Sequence, residues 1–346
     1  MKKASIIVVG VIVVLFVGLF TCYKVNLGSV SKKSEEVNFN IISGTNSQEI
    51  IKNLKNADLI KNEFFSKVYL KLHNNIIIKA GKYSLNRNMN AKEIFSKLSV
   101  GGKSDNTIRI TFKEGDIIEN YIKQIGEGFN LTEDEIKNKI NSETFLKPLI
   151  SKYWFLTDDI LNQNIKYALE GYLYPNTYEF YKDASIDDVI KKMLDQTEKE
   201  LNDYKKEMIN SPYSIHEIMT LASIIEKEAG LAEDRKTISG VFYNRLNKNM
   251  ALQSCATLGY ALGKWKLRYT TNDTQVDSPY NTYKYPGFPP GPTSNPSIGS
   301  IEAAIYPEDT DYLYFLADVC HNNHKTYFSK TYEEHEKLKH EKLNCN

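Results

Sequence analysis

The chain has 346 residues, of which 41% are hydrophobic and 25% are charged, an ordinary globular composition with room for two domains. Its formal net charge of +1 excludes the basic surface field typical of nucleic-acid-binding proteins. Four cysteines in so long a chain exclude a disulfide framework. Cys255 and Cys320 either form one bridge or remain two buried thiols, and the sequence leaves both open.

Residues 4–23 form an uncharged, mostly apolar run of 20 residues that follows Lys2 and Lys3. A helix that crosses a bilayer needs about 20 residues, whereas the apolar region of a cleaved signal peptide has only about 7–15. We therefore predict an uncleaved, single-pass anchor in the cell membrane over residues 4–23. The lysines favour a cytosolic N-terminus, so residues 1–3 are placed inside and the remainder outside the membrane.

Residues 24–36 are polar and lack apolar periodicity, so we predict a linker there. Over residues 37–126, alternating runs predict strands and 3.6-residue periodicity predicts helices, which indicates a small α+β region. An order of strand, glycine and helix occurs around both Gly44 and Gly115. This order fits a duplicated β–α module, and it also fits chance similarity.

Residues 127–346 are predicted to form a second, mixed α+β domain. Its first part is mostly helical in pattern, and a buried strand is predicted at Tyr312–Asp318. Residues 278–292 are too rich in proline and glycine for regular structure, and a long loop of this kind in a compact domain is usually functional. The predicted fold class is therefore α+β throughout the chain outside the membrane.

One predicted helix ends in the sequence TLASIIEKEAG, Thr220–Gly230. Ser214 and Glu217 form a capping box, so the helix is predicted to begin there. At about 100° per residue, Glu226 lies at the boundary between an apolar face and a polar stripe, whereas Glu228 points to another face. The polar stripe consists of His216, Thr220, Ser223 and Lys227.

A carboxyl at such a boundary is partly desolvated and holds its proton more readily than one in water. That is the property that a general acid needs near neutral pH. The same pattern also fits glutamates that lie in solvent at a helix end. The helix by itself therefore leaves a catalytic and a structural interpretation of Glu226 open.

Nine short motifs occur in one order between Glu170 and His335. They are EGYLYPNTYEF, LASIIEKEA, VFYNRL, LQSCAT, SPYNTY, PPGP, AAIYP, YLYFLAD and SKTYEEH. In this order they resemble the endolytic murein transglycosylases of the YceG-like family. The resemblance implies a membrane-anchored enzyme that cleaves the β-1,4 bond between N-acetylmuramic acid and N-acetylglucosamine within nascent peptidoglycan strands. It also implies a LysM-like, peptidoglycan-binding module within residues 37–126 and a catalytic domain over residues 127–346.

The family's catalytic glutamate is the first one of the IIEKE motif, which corresponds to Glu226 here. The resemblance implies that Glu226 protonates the glycosidic oxygen and then takes the proton of the C6 hydroxyl of the same muramyl sugar. The product would be a 1,6-anhydro end that terminates glycan elongation. Peptidoglycan synthases are implied as partners, and no cofactor is implied.

Several polar residues match the motif positions at which the family would contact its substrate. They are Gln253, Ser254, Tyr280, Asn281 and Tyr283. Amide and hydroxyl groups suit sugar hydroxyls and acetamides. The same side chains also commonly hold turns by hydrogen bonds, and the sequence leaves both roles open.

The sequence departs from the family pattern at four places. Cys255 and Ala256 replace an Asp-Pro pair, Thr326 replaces a histidine, and Ser297 replaces the glycine of an NPG motif. We expect none of these residues to contact Glu226.

Three other functions are alternatives to a transglycosylase. A zinc peptidase would take its ligands from Cys320, His321, His324 and His335, but the H-x-x-H spacing matches no standard zinc signature, so no metal site is predicted. A water-using muramidase usually requires a second carboxylate. A non-enzymatic scaffold that binds the cell wall would need no reactive carboxyl at all.

Overall fold

A computed structural model describes residues 16–42, 45–74, 76–101, 107–266, 268–318 and 325–343. The chain forms two compact units, Met1–Thr107 and Ile108–Asn346. Helices and small sheets occur in both units, which confirms the predicted α+β class. Residues 108–126, predicted to be part of the first region, belong to the second unit. Their apolar side chains pack into the core of that unit.

The first unit alternates short strands with helices. Its elements are α1 (residues 16–27), β1 (Glu36–Ile41), α2 (Ser47–Asn56), α3 (Glu63–Leu72), β2 (Gly81–Asn86) and α4 (Ala91–Val100). β1 and β2 pair in antiparallel orientation, with Phe39 opposite Tyr83. Because side chains alternate along a strand, Phe39, Tyr83 and Leu85 enter one core together with apolar residues of α2 and α4.

Asparagine side chains determine where three helices of the first unit begin. Asn46, Asn62 and Asn90 each accept a hydrogen bond from the backbone N–H three residues further on. Such a cap satisfies a donor that the first helical turn leaves unpaired, which stabilises a helix by about 0.5–2 kcal/mol.

Helix α1 connects the predicted anchor to the first unit. Its Tyr23 and Leu27 pack against the core of this unit. The predicted linker over residues 24–36 therefore begins within a helix and ends where β1 starts. Across the residues that the structure describes, no helix is both long and apolar enough to cross a membrane. Residues 4–15 of the predicted span lie outside the described residues.

The two segments that suggested a duplicated module share a buried helix and differ in strand pairing. α2 buries Ile50, Ile51 and Leu54, and α5 (Ile118–Phe129) buries Tyr121, Ile122 and Ile125 at the corresponding distance after its glycine. β1 pairs with the nearby β2, whereas the strand before α5 pairs with one more than 60 residues later. Gly44 lies outside the described residues, and the duplication stays a prediction.

The second unit is predominantly helical. Its elements are β3 (Thr107–Thr111), α5 (Ile118–Phe129), α6 (Glu133–Ile140), α7 (Glu143–Lys152), β4 (Thr177–Tyr181), α8 (Ile186–Leu201), α9 (Lys205–Asn210), α10 (Ile215–Glu228), α11 (Arg235–Asn247), α12 (Cys255–Leu262), α13 (Ile298–Ile305), β5 (Tyr314–Ala317), β6 (Thr326–Ser329) and α14 (Tyr332–Lys342). β3 pairs with β4, and β5 pairs with β6. The strand predicted at Tyr312–Asp318 is β5, and its residues are only partly buried.

Helix α10 lies at the centre of the second unit. It packs against α11, α12 and α13, and every residue from Ile218 to Ile225 is buried. Each fully buried aliphatic side chain contributes about 1.5–3 kcal/mol relative to its exposure in water. The helix is therefore fixed along most of its length, and its last turn carries Glu226 and Glu228.

Gly171 allows the turn after Glu170 to pack against the proline-rich loop. Its φ of +83° lies in the left-handed region, and a Cβ atom at this position would overlap the ring of Pro292. We expect Gly171→Ala to destabilise the protein by about 1–3 kcal/mol through overpacking, in addition to about 1–2 kcal/mol for the left-handed conformation.

Gly263→Ala is the matched control for this prediction. Gly263 has a φ of +62°, and a Cβ atom there would have no neighbour within 4 Å. Thermal unfolding should therefore show a much larger loss of Tm for the variant at Gly171. Equal losses for the two variants would contradict the packing argument.

Candidate active site

The N-terminal part of α10 follows the sequence prediction. Ser214 Oγ accepts a hydrogen bond from the N–H of Glu217 at 3.1 Å, and Glu217 accepts one from the N–H of Ser214 at 2.8 Å. This is the predicted capping box. It fixes the start of the helix and thereby the rotational position of every residue after it.

Three residues of the predicted polar stripe of α10, His216, Thr220 and Ser223, are buried beneath the proline-rich loop, whereas Lys227 is exposed. His216 Nε2 donates to Pro290 O at 2.8 Å, so its Nδ1 accepts from the hydroxyl of Tyr172 at 2.7 Å. Ser223 Oγ accepts from the N–H of Thr293 at 2.9 Å. The stripe therefore binds the loop that leads to α13, which positions the start of α13 beside the last turn of α10.

The carboxyl of Glu226 faces the start of α13, and its side chain is only 8% exposed. Its Oε2 atom accepts three hydrogen bonds. The donors are the N–H of Ser297 at 3.0 Å, the hydroxyl of Ser297 at 2.5 Å and the hydroxyl of Ser300 at 2.6 Å. The N-terminus of a helix also favours negative charge through its dipole. Oε2 is therefore the anchored oxygen of this carboxyl.

The other oxygen of Glu226, Oε1, faces a cation and a backbone turn. Arg235 Nη2 lies 3.9 Å from it, and a Cβ atom on Gly115 would lie 3.8 Å from it. Gly115 has a φ of +70°, a left-handed conformation that favours glycine. Because Oε2 is held by three donors, Oε1 is the oxygen available for exchanging a proton with a bound molecule.

Asn295 connects the turn at Gly115 to the rest of the site. Its Nδ2 donates to Asp116 O and to Glu170 Oε1, both at 3.2 Å. Its Oδ1 accepts from the N–H groups of Gly171 at 3.0 Å and Leu173 at 3.2 Å. Its backbone also binds the turn, since Asn295 O accepts from the N–H of Gly115 at 2.8 Å. One fully buried amide thus ties three chain segments together beside Glu226.

Glu170 is a second buried carboxyl, with no exposed surface. Its Oε1 accepts from the N–H of Ile118, the first residue of α5, at 2.9 Å, and its Oε2 accepts from the hydroxyl of Tyr260 at 3.1 Å. Burial raises the pKa of this carboxyl to about 8 despite those donors. Glu170 is therefore largely protonated at neutral pH.

Glu228 points away from Glu226, as the helical geometry predicted. Its Oε1 accepts from the hydroxyl of Ser254 at 2.6 Å and from the N–H of Ala256 at 3.0 Å. Both donors belong to the start of α12. This carboxylate therefore holds the N-terminus of a helix, which is a structural role.

Two of the predicted substrate contacts are buried within the loop that carries them. Asn281 Nδ2 donates to Thr274 O at 3.0 Å and to Val276 O at 2.8 Å. The ring of Tyr280 packs at 4.8 Å from that of Tyr260. Asn281 thus holds the turn of its own loop, and the ring of Tyr280 is used in packing.

Two predicted contacts line a cavity of about 720 Å³ at the N-terminus of α12. Gln253 and Tyr283 line it together with Glu228, and Gln253 has a left-handed φ of 49°. Ser254 is buried behind it, where it binds Glu228 and caps α12. The cavity is large enough for a small ligand. Glu226 is not among its lining residues.

The expectation that no departure from the family pattern contacts Glu226 is wrong for one residue. Ser297, which replaces a glycine, provides two of the three donors to Glu226 Oε2. The other departures lie elsewhere: Cys255 and Ala256 begin α12, and Thr326 lies in β6. No local pattern in the sequence connects Ser297 to a helix that ends 69 residues earlier in the chain.

The metal hypothesis involves residues that are mostly outside the described part of the chain. Cys320, His321 and His324 are not among the described residues. Cys320 is also the bridge partner considered for Cys255. His335 lies on α14, where its ring stacks on Tyr314. Within the described ranges, no three side chains of metal-binding type come together.

Comparison with known proteins shows the family to which the chain is related. Residues 39–341 match the model of the YceG-like family. The chain is 41% identical over 325 residues to a protein of Bacillus subtilis (strain 168) named endolytic murein transglycosylase, covering 93% of this chain and 89% of that protein. A protein of the same name from Streptococcus pneumoniae serotype 2 (strain D39) is 34% identical over 317 residues, which is 87% of this chain and 57% of the pneumococcal protein.

A solved structure of a YceG-like protein has a similar fold. The crystal structure of a YceG-like protein from Listeria monocytogenes aligns with a TM-score of 0.64 at 40% identity, over 88% of this chain and 100% of that one. The chain belongs to the YceG-like family.

The buried carboxyl of Glu170 predicts a pH-dependent stability. Its folded-state pKa of about 8 is above the ordinary value of 4.5, so the folded chain keeps a proton that the unfolded chain has already released. Stability therefore falls as the pH rises between those values. Relative to Glu170→Gln, which has no proton to lose, we expect the wild-type Tm to decline between about pH 5 and about pH 8.

Thermal unfolding of both proteins across this range is the measurement. The glutamine keeps the acceptor for Ile118, so the comparison isolates the titration of one group. Parallel curves for the two proteins would show that Glu170 does not carry a raised pKa.

Proposed function

We propose that this chain is an endolytic murein transglycosylase that cleaves peptidoglycan glycan strands with Glu226 as its single catalytic acid and base. The observation that carries the proposal is the carboxyl of Glu226, which is nearly buried and held by three donors at Oε2, with Arg235 Nη2 3.9 Å from Oε1. The family membership and the names of the relatives support the reaction class.

In the first step, Glu226 donates a proton from Oε1 to the oxygen of the β-1,4 bond between N-acetylmuramic acid and N-acetylglucosamine. The bond from C1 to that oxygen breaks, and the muramyl sugar becomes oxocarbenium-like. The carboxylate that remains is negatively charged and stabilises the positive sugar. The anchored position of Oε2 supports this step, because the carboxyl keeps its orientation while its charge changes.

In the second step, Oε1 takes the proton from the C6 hydroxyl of the same muramyl sugar. The C6 oxygen forms a bond to C1, and the product is a 1,6-anhydro-muramyl end. No water is consumed, so one carboxyl that acts first as acid and then as base is sufficient. An internal cut of this kind terminates the elongation of a nascent strand.

The positions of the other buried carboxylates favour this reaction over a water-using muramidase. A hydrolase usually has a second carboxylate about 5–9.5 Å from the acid and open to water or sugar. Glu228 is used in holding α12, and Glu170 is fully buried against α5 and Asn295. A non-enzymatic scaffold would not need the three donors on Glu226.

The location and partners of the enzyme form a separate part of the proposal. Residues 4–23 would anchor the chain in the cell membrane with the N-terminus inside, because their uncharged run follows Lys2 and Lys3. The first unit would include a LysM-like module that binds glycan. Peptidoglycan synthases are the expected partners, since they produce the strands to be cut.

The central prediction concerns Glu226→Gln in the full chain. Glutamine accepts the same hydrogen bonds and cannot donate a proton as an acid, so turnover of peptidoglycan should fall by about a thousandfold. Mass spectrometry of the products should show anhydro-muramyl ends for the wild type and their loss in the variant. Glu228→Gln is the matched control and should retain most of the activity.

Two results would overturn parts of this proposal. Equal activity of Glu226→Gln and wild type would remove Glu226 from catalysis. Products heavier by one water would identify a muramidase instead of a transglycosylase.

The anchoring of Oε2 can be tested separately through Ser300→Ala. Removing one of three donors to a charged group should lower kcat by about tenfold and leave KM nearly unchanged, because the carboxyl loses its fixed orientation. Ser294→Ala is the control: its hydroxyl is also buried and donates to Ser223 O at 3.1 Å, away from Glu226. An unchanged kcat in Ser300→Ala would show that this donor does not support the reaction.

A further inference from the structure

Helix α3 of the first unit has an apolar face that this unit does not cover. Phe64 is 66% exposed and Leu72 is 69% exposed. Together with the partly buried Val68 they occupy positions i, i+4 and i+8, so they form one stripe along the helix. The opposite face of α3 is packed, with Ser66 and Tyr69 buried. We call Phe64, Val68 and Leu72 the apolar stripe.

Aromatic contacts connect the apolar stripe to the end of α1. The ring of Phe64 lies 5.4 Å from that of Phe65, and the ring of Phe65 lies 6.1 Å from that of Tyr23. Lys61, which precedes α3, donates to Val25 O at 3.4 Å. The start of α3 is therefore fixed beside the last turns of α1.

The preceding turns of α1 expose large apolar side chains. Phe16 is 71% exposed, Leu19 is 68% exposed and Phe20 is 51% exposed. They continue the uncharged run of residues 4–23 that we propose as the membrane anchor. In that setting Tyr23 lies at the level where aromatic residues concentrate, the boundary between lipid and water. Leu27, only about 6 Å further along the helix, already packs into the first unit.

We propose that the apolar stripe of α3 lies in the outer interface of the same membrane that holds the anchor. The inference rests on the proposed anchor and names a second, independent contact with lipid. An interfacial helix buries an apolar face about 5–10 Å into the boundary region and keeps basic residues at the level of the headgroups. Lys61, Lys67 and Lys71 supply those basic residues, although Lys61 contacts Val25 O and Lys67 pairs with Glu63 at 3.7 Å.

The contact would fix the first unit against the membrane surface. A chain held only by a flexible linker would rotate freely above the bilayer. A helix that runs directly into the core of the unit, with a lipid contact beside it, removes most of that freedom. The glycan-binding function proposed for this unit would then act on strands close to the membrane.

The experiment places a photoreactive residue at single positions of the full chain in vesicles of phosphatidylethanolamine and phosphatidylglycerol. p-Benzoylphenylalanine replaces Phe64 or Leu72 as the test positions. It replaces Phe16 to report on the anchor. It replaces Ile209 of the second unit, which is 57% exposed, as a matched control for a large apolar side chain on the surface. After illumination, mass spectrometry identifies adducts with lipid.

We expect lipid adducts at Phe16, Phe64 and Leu72 and none at Ile209. Adducts at Phe16 with none at Phe64 and Leu72 would overturn the inference and leave the anchor intact. Absence of adducts at all positions, including Phe16, would overturn the anchor and the inference together. Adducts of Phe64 or Leu72 with a second copy of the chain would assign the apolar stripe to a dimer and also overturn the inference.

A charge variant gives an independent readout. With the photoreactive residue at Leu72, Phe64→Glu should reduce the yield of lipid adducts by about tenfold, as expected when one large apolar side chain no longer leaves water. Ile209→Glu should leave the yield unchanged. An equal yield in Phe64→Glu would contradict a shared lipid contact along the apolar stripe.

Discussion

The side chain of Asn295 is the constraint on which the active site depends. Its amide uses both N–H groups and both lone pairs in a fully buried position, and its backbone adds further bonds to the turn at Gly115. Leaving a buried donor such as the N–H of Gly171 or Leu173 without its acceptor costs about 1–3 kcal/mol. The same residue leads directly into the start of α13, which holds Glu226. The loop, the turn at Gly115 and the carboxyl of Glu226 are therefore all positioned through Asn295.

Three carboxyl groups of the second unit, including the largely protonated Glu170, each accept a hydrogen bond from the N-terminus of a helix. Glu226 binds the start of α13, Glu228 the start of α12, and Glu170 the start of α5. A helix N-terminus stabilises negative charge and has unpaired N–H groups to offer. Glu226 differs from the other two in that one of its oxygens accepts three hydrogen bonds, while the other lies 3.9 Å from Arg235 Nη2.

The sequence predicted the parts of this arrangement that depend on local chemistry. The capping box of α10 and the different directions of Glu226 and Glu228 were confirmed, because both follow from helical geometry. The donors to Glu226 were missed, since Ser297 and Ser300 reach it only after the proline-rich loop has folded back along α10. Motif matching indicated the family and left the role of Asn281 open, and in the structure its amide binds its own loop. The sequence also did not predict that His216, Thr220 and Ser223 are buried, because their burial depends on the loop that packs against them.

The hydrogen bonds that define the site join residues far apart in the chain. The bond from Ser297 to Glu226 spans 71 residues, that from Asn295 to Glu170 spans 125, and that from Asn295 to Asp116 spans 179. Contacts between distant segments carry a large entropic cost during folding and form slowly. The reactive geometry therefore exists only in a completely folded second unit. For a protein proposed to cut the cell wall, an incompletely made or proteolysed copy is harmless, which is a safeguard inherent in the topology.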